Sequence, residues 1–147
     1  VHVEFVSKFE APVADLRDFH FQQNAIQKLI PPWEKVSVLE APFPLRDGVR
    51  AVMLTRIGPF SIRWVAIHQM IEQGFVDRQE AGPFAKWIHE HRFEEVSGDR
   101  CRLTDAIDYE LPLGRVGRFF GGALVRRKLE RMFRYRHEVT RAELEER

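Results

Sequence analysis

Between Glu34 and Leu111 the chain is a succession of short runs rich in β-branched and aromatic residues, each closed by a turn signal. The runs are EKVSVLEA, VRAVMLTRI, SIRWVAIHQMI, FVDRQE, AKWIHEHRFEEV and RCRLTDAIDYEL. The signals between them are Asp47-Gly48, Gly58-Pro59, Gln73-Gly74, Gly82-Pro83 and Ser97-Gly98-Asp99. Connections this short join antiparallel neighbours, because a parallel pair needs a crossover of a dozen or more residues. The chain begins VHVEFVSKFE, which alternates with period two and predicts a further strand. The expectation is an antiparallel sheet of about six to seven strands.

Such a sheet buries one face and needs a cover. Only one segment is long enough to supply it. From Gly114 to about Arg141 there is no proline, and Arg, Leu, Phe and Glu dominate, which predicts a long helix. Its apolar stripe changes face. Val116, Phe119, Phe120 and Ala123 share one side; Val125, Leu129, Met132, Phe133 and Val139 share another. Gly121-Gly122 lies between the two sets, so a kink is expected there. Ahead of the meander, Pro12 opens a short helix in APVADLRDFHF, and Asn24 caps a second, NAIQKLI, which stops before Pro31-Pro32. The predicted fold is α+β: a curved antiparallel sheet wrapped around a long C-terminal helix, with two short helices after the first strand. It forms a single domain over residues 1–147 and leaves a cavity between sheet and helix.

Composition narrows the function classes. Hydrophobic residues make up 44% of the chain and charged residues 31%, the balance of a folded globular domain rather than a disordered segment. A net charge of +1 gives no bulk attraction to nucleic acid. Cys101 is the only cysteine, which excludes an internal disulfide and a multi-cysteine zinc site and fits a reducing compartment. No apolar run approaches the roughly 18 residues of a membrane span, and the first residues do not read as a signal peptide, so a cytoplasmic location without membrane insertion is expected. A monomer or homodimer is equally compatible. The basic residues Arg126, Arg127, Lys128, Arg131 and Arg134 suit anionic lipid or phosphate, but i,i+4 pairing on an exposed face, Arg126 with Glu130 and Arg134 with Glu138, is their usual role.

The stretch WIHEHRF carries the chemistry. Alternate side chains of a strand share a face, so Trp87, His89, His91 and Phe93 lie on one side and Ile88, Glu90 and Arg92 on the other. In the next run Cys101, Leu103, Asp105, Ile107, Tyr109 and Leu111 form the apolar set. A three-residue loop, Ser97-Gly98-Asp99, brings the two apolar faces into register. It sets His91 opposite Asp105, His89 opposite Ile107 and Trp87 opposite Tyr109. Packing accounts for this cluster if the polar groups satisfy one another, with His91 bonded to Asp105 and titrating above its free value. A ligand cavity accounts for it equally well, since such cavities are apolar with a few placed polar groups. As a catalytic pair, His91 and Asp105 suit proton transfer; no nucleophile elbow, phosphate loop or dinucleotide fingerprint accompanies them. A metal needs a third ligand beside His89 and His91, and only Asp105 or His68 offers one, so neither metal nor cofactor is expected. Asp77 and Gln79 share a face in FVDRQE, as a solvated edge or as cavity lining.

Several segments resemble the SRPBCC superfamily (START-like, helix-grip fold), most closely a bacterial ligand-binding SRPBCC group related to polyketide cyclase/dehydratase-like proteins. They are Pro31-Pro32-Trp33, FVDRQEAGPFAKWIHEHRF (Phe75 to Phe93), LTDAIDYELPLGRVG (Leu103 to Gly117) and FRYR (Phe133 to Arg136). The resemblance spans essentially the whole chain. It implies binding of a hydrophobic small molecule, such as a lipid or polyketide, in the internal cavity. A cyclase/dehydratase-type enzyme using His91 and Asp105, or a non-catalytic regulatory or partner-binding module, are the alternatives. The residues expected to meet the ligand are Trp33, Trp64, Asp77, Gln79, Trp87, His89, His91, Phe93, Tyr109, Phe119 and Phe120.

Overall fold

The computed structural model describes residues 1–146. Strand β1 (His2–Phe9) leads into helices α1 (Val13–Phe21) and α2 (Ala25–Leu29). The meander follows as β2 (Val36–Glu40), β3 (Arg50–Ile57), β4 (Phe60–Ile71), β5 (Gly74–Ala81), β6 (Lys86–Ser97) and β7 (Arg100–Glu110). Helix α3 (Gly114–Glu145) closes the chain. The strands form one antiparallel sheet in the order β1-β7-β6-β5-β4-β3-β2, so the first strand pairs with the last and the meander runs outward from there. This is the helix-grip arrangement expected. No described helix is long and apolar enough to cross a membrane.

The grip comes from α3. Its buried side chains are Leu129, Phe133, His137, Thr140 and Leu144, a stripe at intervals of three and four residues. Phe133 is 1% exposed and stacks on Phe5 of β1, ring centroids 4.8 Å apart. Burying a ring of this size contributes about 1.5–3 kcal/mol and the stacking somewhat more. A second cluster lies toward α1, where Phe9, Leu16, Phe19, Phe93, Cys101 and Leu103 pack together. Burial there pushes the Cys101 thiol up to about 11, which leaves it a small apolar filler.

One expectation changes and another is narrowed. The β6–β7 connection is a two-residue turn, Gly98-Asp99, because Ser97 rather than Val96 pairs with Arg100. A register shift between Glu95 and Ser97 takes up Val96, so His91 still faces Asp105 and Trp87 still faces Tyr109. A bulge absorbs the residue that parity required of the loop. In α3 the helix runs without a break through Gly121 and Gly122. The stripe slips because the first turns of α3 leave their apolar side chains in solvent: Val116 is 57% exposed, Phe119 83% and Phe120 80%.

At the β4–β5 turn one glycine is obligatory. Gly74 has φ +157°, and a Cβ there would collide with the His91 carbonyl oxygen. The absence of a side chain lets β5 lie close beside β6 where the histidines are held.

Candidate functional site

Strand pairing brings two carboxylates to either side of the β6 histidines. Asp77 of β5 lies opposite His89, and Asp105 of β7 lies opposite His91. The strong hydrogen bonds run diagonally rather than straight across. His89 Nε2 donates to Asp105 Oδ1 at 2.7 Å, and His91 Nε2 donates to Asp77 Oδ2 at 2.7 Å. The directly opposed pair expected from the sequence, His91 with Asp105, is a longer contact of 3.4 Å through Nδ1. Diagonal neighbours on one sheet face lie within reach of long side chains, and here the imidazoles lean that way and stack, centroids 3.7 Å apart. Phe75 and Phe133 flank the stack, Phe75 on His91 at 4.0 Å and Phe133 edge-on to His89 at 5.2 Å.

Helix α3 adds a further imidazole. His137 Nε2 donates to Asp105 Oδ2 at 2.7 Å, and its Nδ1 is 2.7 Å from Ser7 Oγ. Asp105, 4% exposed, therefore holds two histidines from two elements. Trp87 Nε1 donates to Asp77 Oδ1 at 3.3 Å.

Charge distributes unevenly in this network. Burial alone would raise the Asp105 carboxyl, but hydrogen bonds from His137 and His89 and the His89 charge hold it well below the usual carboxylate range. Asp77 is depressed likewise, against its burial, by the His89 charge and by hydrogen bonds from both β6 histidines. Burial opposes charge on His89 too, yet the Asp77 charge and the bonds to Asp105 and Asp77 raise it to about 9. His91 goes the other way: burial and the neighbouring His89 charge push it down to about 4. The sequence expectation of a raised His91 is thus reversed, because one imidazolium satisfies the carboxylates and repels a second.

Asp77, His89 and His91 open onto a cavity of about 550 Å³ between the sheet and helices α2 and α3. Its wall is mainly apolar, with Ile26 and Leu29 of α2, Met53 and Trp64 of the sheet, and Val125 and Met132 of α3. Trp87 lines it too. His20, His68 and Arg136 also line it and were not among the residues expected to meet the ligand. Burial lowers both His68 and His20, the latter to about 4.

The other residues expected at the ligand sit elsewhere. Phe119 and Phe120 stack edge-on against each other in solvent, on the part of α3 that makes no use of its apolar side. Trp33 packs outside, edge-on to Tyr135 and 4.0 Å beneath Arg131. Phe93 and Tyr109, each 3% exposed, are core residues, drawn in by Phe75 and by Trp87 and Phe84 respectively. Gln79 clamps the loop after β5: its amide donates to the Phe84 carbonyl at 2.8 Å and accepts from the Phe84 N–H at 3.2 Å. This sets the Phe84 ring against Trp64 and Trp87 in the cavity wall. Asp105 stands behind the histidines rather than at the cavity surface, where it positions His89.

Comparison with known proteins fits this architecture. The model of the family described as polyketide cyclase / dehydrase and lipid transport matches residues 9–133. A START superfamily protein from Mycobacterium smegmatis is 12% identical, with a TM-score of 0.69 over 99% of this chain and 97% of that one. The Zhui aromatase/cyclase from Streptomyces sp. R1128 is 17% identical, with a TM-score of 0.66 over 97% of this chain and 94% of that one. Norcoclaurine synthase from Thalictrum flavum, solved with dopamine and hydroxybenzaldehyde, is 12% identical, with a TM-score of 0.65 over 95% and 84% of the two chains. At these identities the likeness is one of fold. No curated protein is significantly similar in sequence.

Proposed function

This chain belongs to the polyketide cyclase / dehydrase and lipid transport family, and we propose that it encloses a hydrophobic small molecule, lipid- or polyketide-like, between its sheet and α3. The observation that carries the reading is the cavity itself, about 550 Å³, apolar on most sides and polar at one floor. That volume lies within the range of small-molecule sites, as does the pattern of few polar groups in an apolar wall. The floor also has spare capacity. A carboxylate offers about four acceptor positions, and Asp77 receives Trp87 on one oxygen and the β6 histidines on the other. A ligand hydroxyl fits the remainder. Calorimetric titration with naphthalene and 2-naphthol tests this. The naphthol should bind about 10- to 150-fold tighter, since a hydrogen bond to a charged group contributes about 1.5–3 kcal/mol, and Asp77→Asn should narrow the gap. Absence of saturable binding by either compound would remove the reading.

The opposed protonation of two stacked imidazoles supports a second reading, a cyclase/dehydratase-type enzyme. Environments that push two titratable groups apart supply an acid and a base at one pH. At neutral pH His89 is the imidazolium and His91 the neutral imidazole, which must release its hydrogen bond to Asp77 and turn a free nitrogen to the cavity to act as a base. Deuterium exchange of the acidic C–H protons of 2-tetralone, followed by NMR, gives the assay. Catalysed exchange that falls by about 10²–10⁴ in His91→Ala while the ketone still binds supports catalysis; exchange at the buffer rate supports a carrier.

A further inference from the structure

We propose that Asp77, His89 and His91 form a binding site for a first-row divalent metal ion on the cavity floor. One ligand atom from each of the three lies within 4.8 Å of the others. Asp77 Oδ2 is the common point, 2.7 Å from His91 Nε2 and 3.4 Å from His89 Nδ1. Tetrahedral coordination with bonds of about 2.0–2.1 Å places neighbouring ligand atoms about 3.3 Å apart. The two observed spacings bracket that value, so small ring rotations suffice to admit an ion.

The far side of each imidazole strengthens the assignment. Both ring nitrogens that turn away from Asp77 face the same atom, Asp105 Oδ1: His89 Nε2 at 2.7 Å and His91 Nδ1 at 3.4 Å. A metal-bound histidine characteristically gives its second N–H to a carboxylate, which fixes the tautomer and makes the ligating nitrogen more basic. Asp105 is placed to do this for both rings at once, and it is itself anchored by His137, which Ser7 holds from behind. This is an inner set of one carboxylate and two imidazoles with an outer carboxylate in support. All four residues sit on three adjacent strands, β5, β6 and β7, none of them at an edge of the sheet, a rigid platform for a fixed geometry.

The inner residues line the cavity, so the ion's remaining positions face the space a ligand would fill. Two imidazoles and one carboxylate with open positions suit zinc or iron(II). The sequence alone offered Asp105 or His68 as the third ligand; the register of β5 on β6 supplies Asp77 instead. Nothing here depends on an organic ligand occupying the cavity.

The test uses the whole protein, stripped with chelator and titrated with Co²⁺ by absorption and with Zn²⁺ by calorimetry. One ion per chain is expected, with hyperfine-shifted ring protons at His89 and His91 in the cobalt form. His91→Gln and Asp77→Asn should abolish stoichiometric binding with their circular dichroism unchanged. Asp105→Asn should weaken binding about 10–100-fold while keeping one ion per chain. The exposed His2, which pairs with Asp108, serves as control, and His2→Ala should change nothing. Failure of either metal to bind stoichiometrically overturns the proposal. So do cobalt shifts confined to His2 or His20, or wild-type affinity in a folded His91→Gln; the wild-type cobalt spectrum decides the matter if the variants do not fold.

Discussion

Replacing Asp105 by Asn is the severest conservative change the structure allows. The side chain keeps its size and loses its charge and one acceptor oxygen. In the native network both oxygens accept 2.7 Å hydrogen bonds, from His89 and from His137. An asparagine amide turns two N–H donors toward one of those histidines, which must change tautomer or lose its partner. Removing one member of a buried charged pair costs about 3–5 kcal/mol, because the other charge stays buried. For a domain whose stability lies near 5–15 kcal/mol, that leaves a folded protein with a melting temperature lower by roughly 10 °C or more. Urea unfolding gives the free energy, and NMR titration of the His89 ring gives the second readout. His89 should drop below its value of about 9, although the Asp77 charge keeps part of the rise. Asp108→Asn, on the same strand but exposed beside His2, should have little effect. A loss under about 1 kcal/mol with His89 unmoved would mean that Asp105 is not the buried anion that holds this network.

The remaining predictions concern pH, helix and surface. His91 and His20 are held near 4, below their ordinary 6.5; the unfolded chain binds more protons in that window, so stability falls as pH drops from 6.5 toward 4. His89 is held near 9; its contribution, on the order of 3 kcal/mol, is complete below 6.5 and lost as pH rises to 9, so unfolding free energies should peak near pH 6.5. A rise in stability between pH 7 and 9 would refute this assignment. Added methyl groups at Gly121 and Gly122 would meet only ordinary contacts, at 3.9 Å and 3.7 Å, so each Gly→Ala change should stabilise the unbroken helix by about 1 kcal/mol in chemical unfolding. Phe119→Ser with Phe120→Ser should leave stability within about 0.5 kcal/mol, because both rings are already in solvent, and should leave naphthol affinity unchanged in the calorimeter.

What the sequence made legible was whatever parity and punctuation control. A strand with one buried face cannot slip by a single residue without turning every side chain over. Trp87, His89 and His91 are therefore fixed against Tyr109, Ile107 and Asp105, even though the turn that achieves it is Gly98-Asp99 with a bulge at Val96. Contacts across the sheet were less legible. Asp77 joins the histidines because β5 lies beside β6, and no local pattern distinguishes it from a solvated strand residue. His137 had a signal that was readable: it falls on the stripe of Leu129, Phe133, Thr140 and Leu144. Phe119 and Phe120 misled for a physical reason. An apolar helix face implies a partner surface, but in this part of α3 the two rings stay exposed.

The central claim is that the space between sheet and helix receives an apolar molecule, and intermolecular NOEs test it most directly. With ¹³C-methyl-labelled protein and 2-naphthol, the account predicts NOEs from the naphthol ring to Ala66, Leu129 and Met132, which line the cavity from its two sides. NOEs confined to Leu113 and Val116, at the exposed start of α3, with none to Ala66 or Leu129, would contradict it.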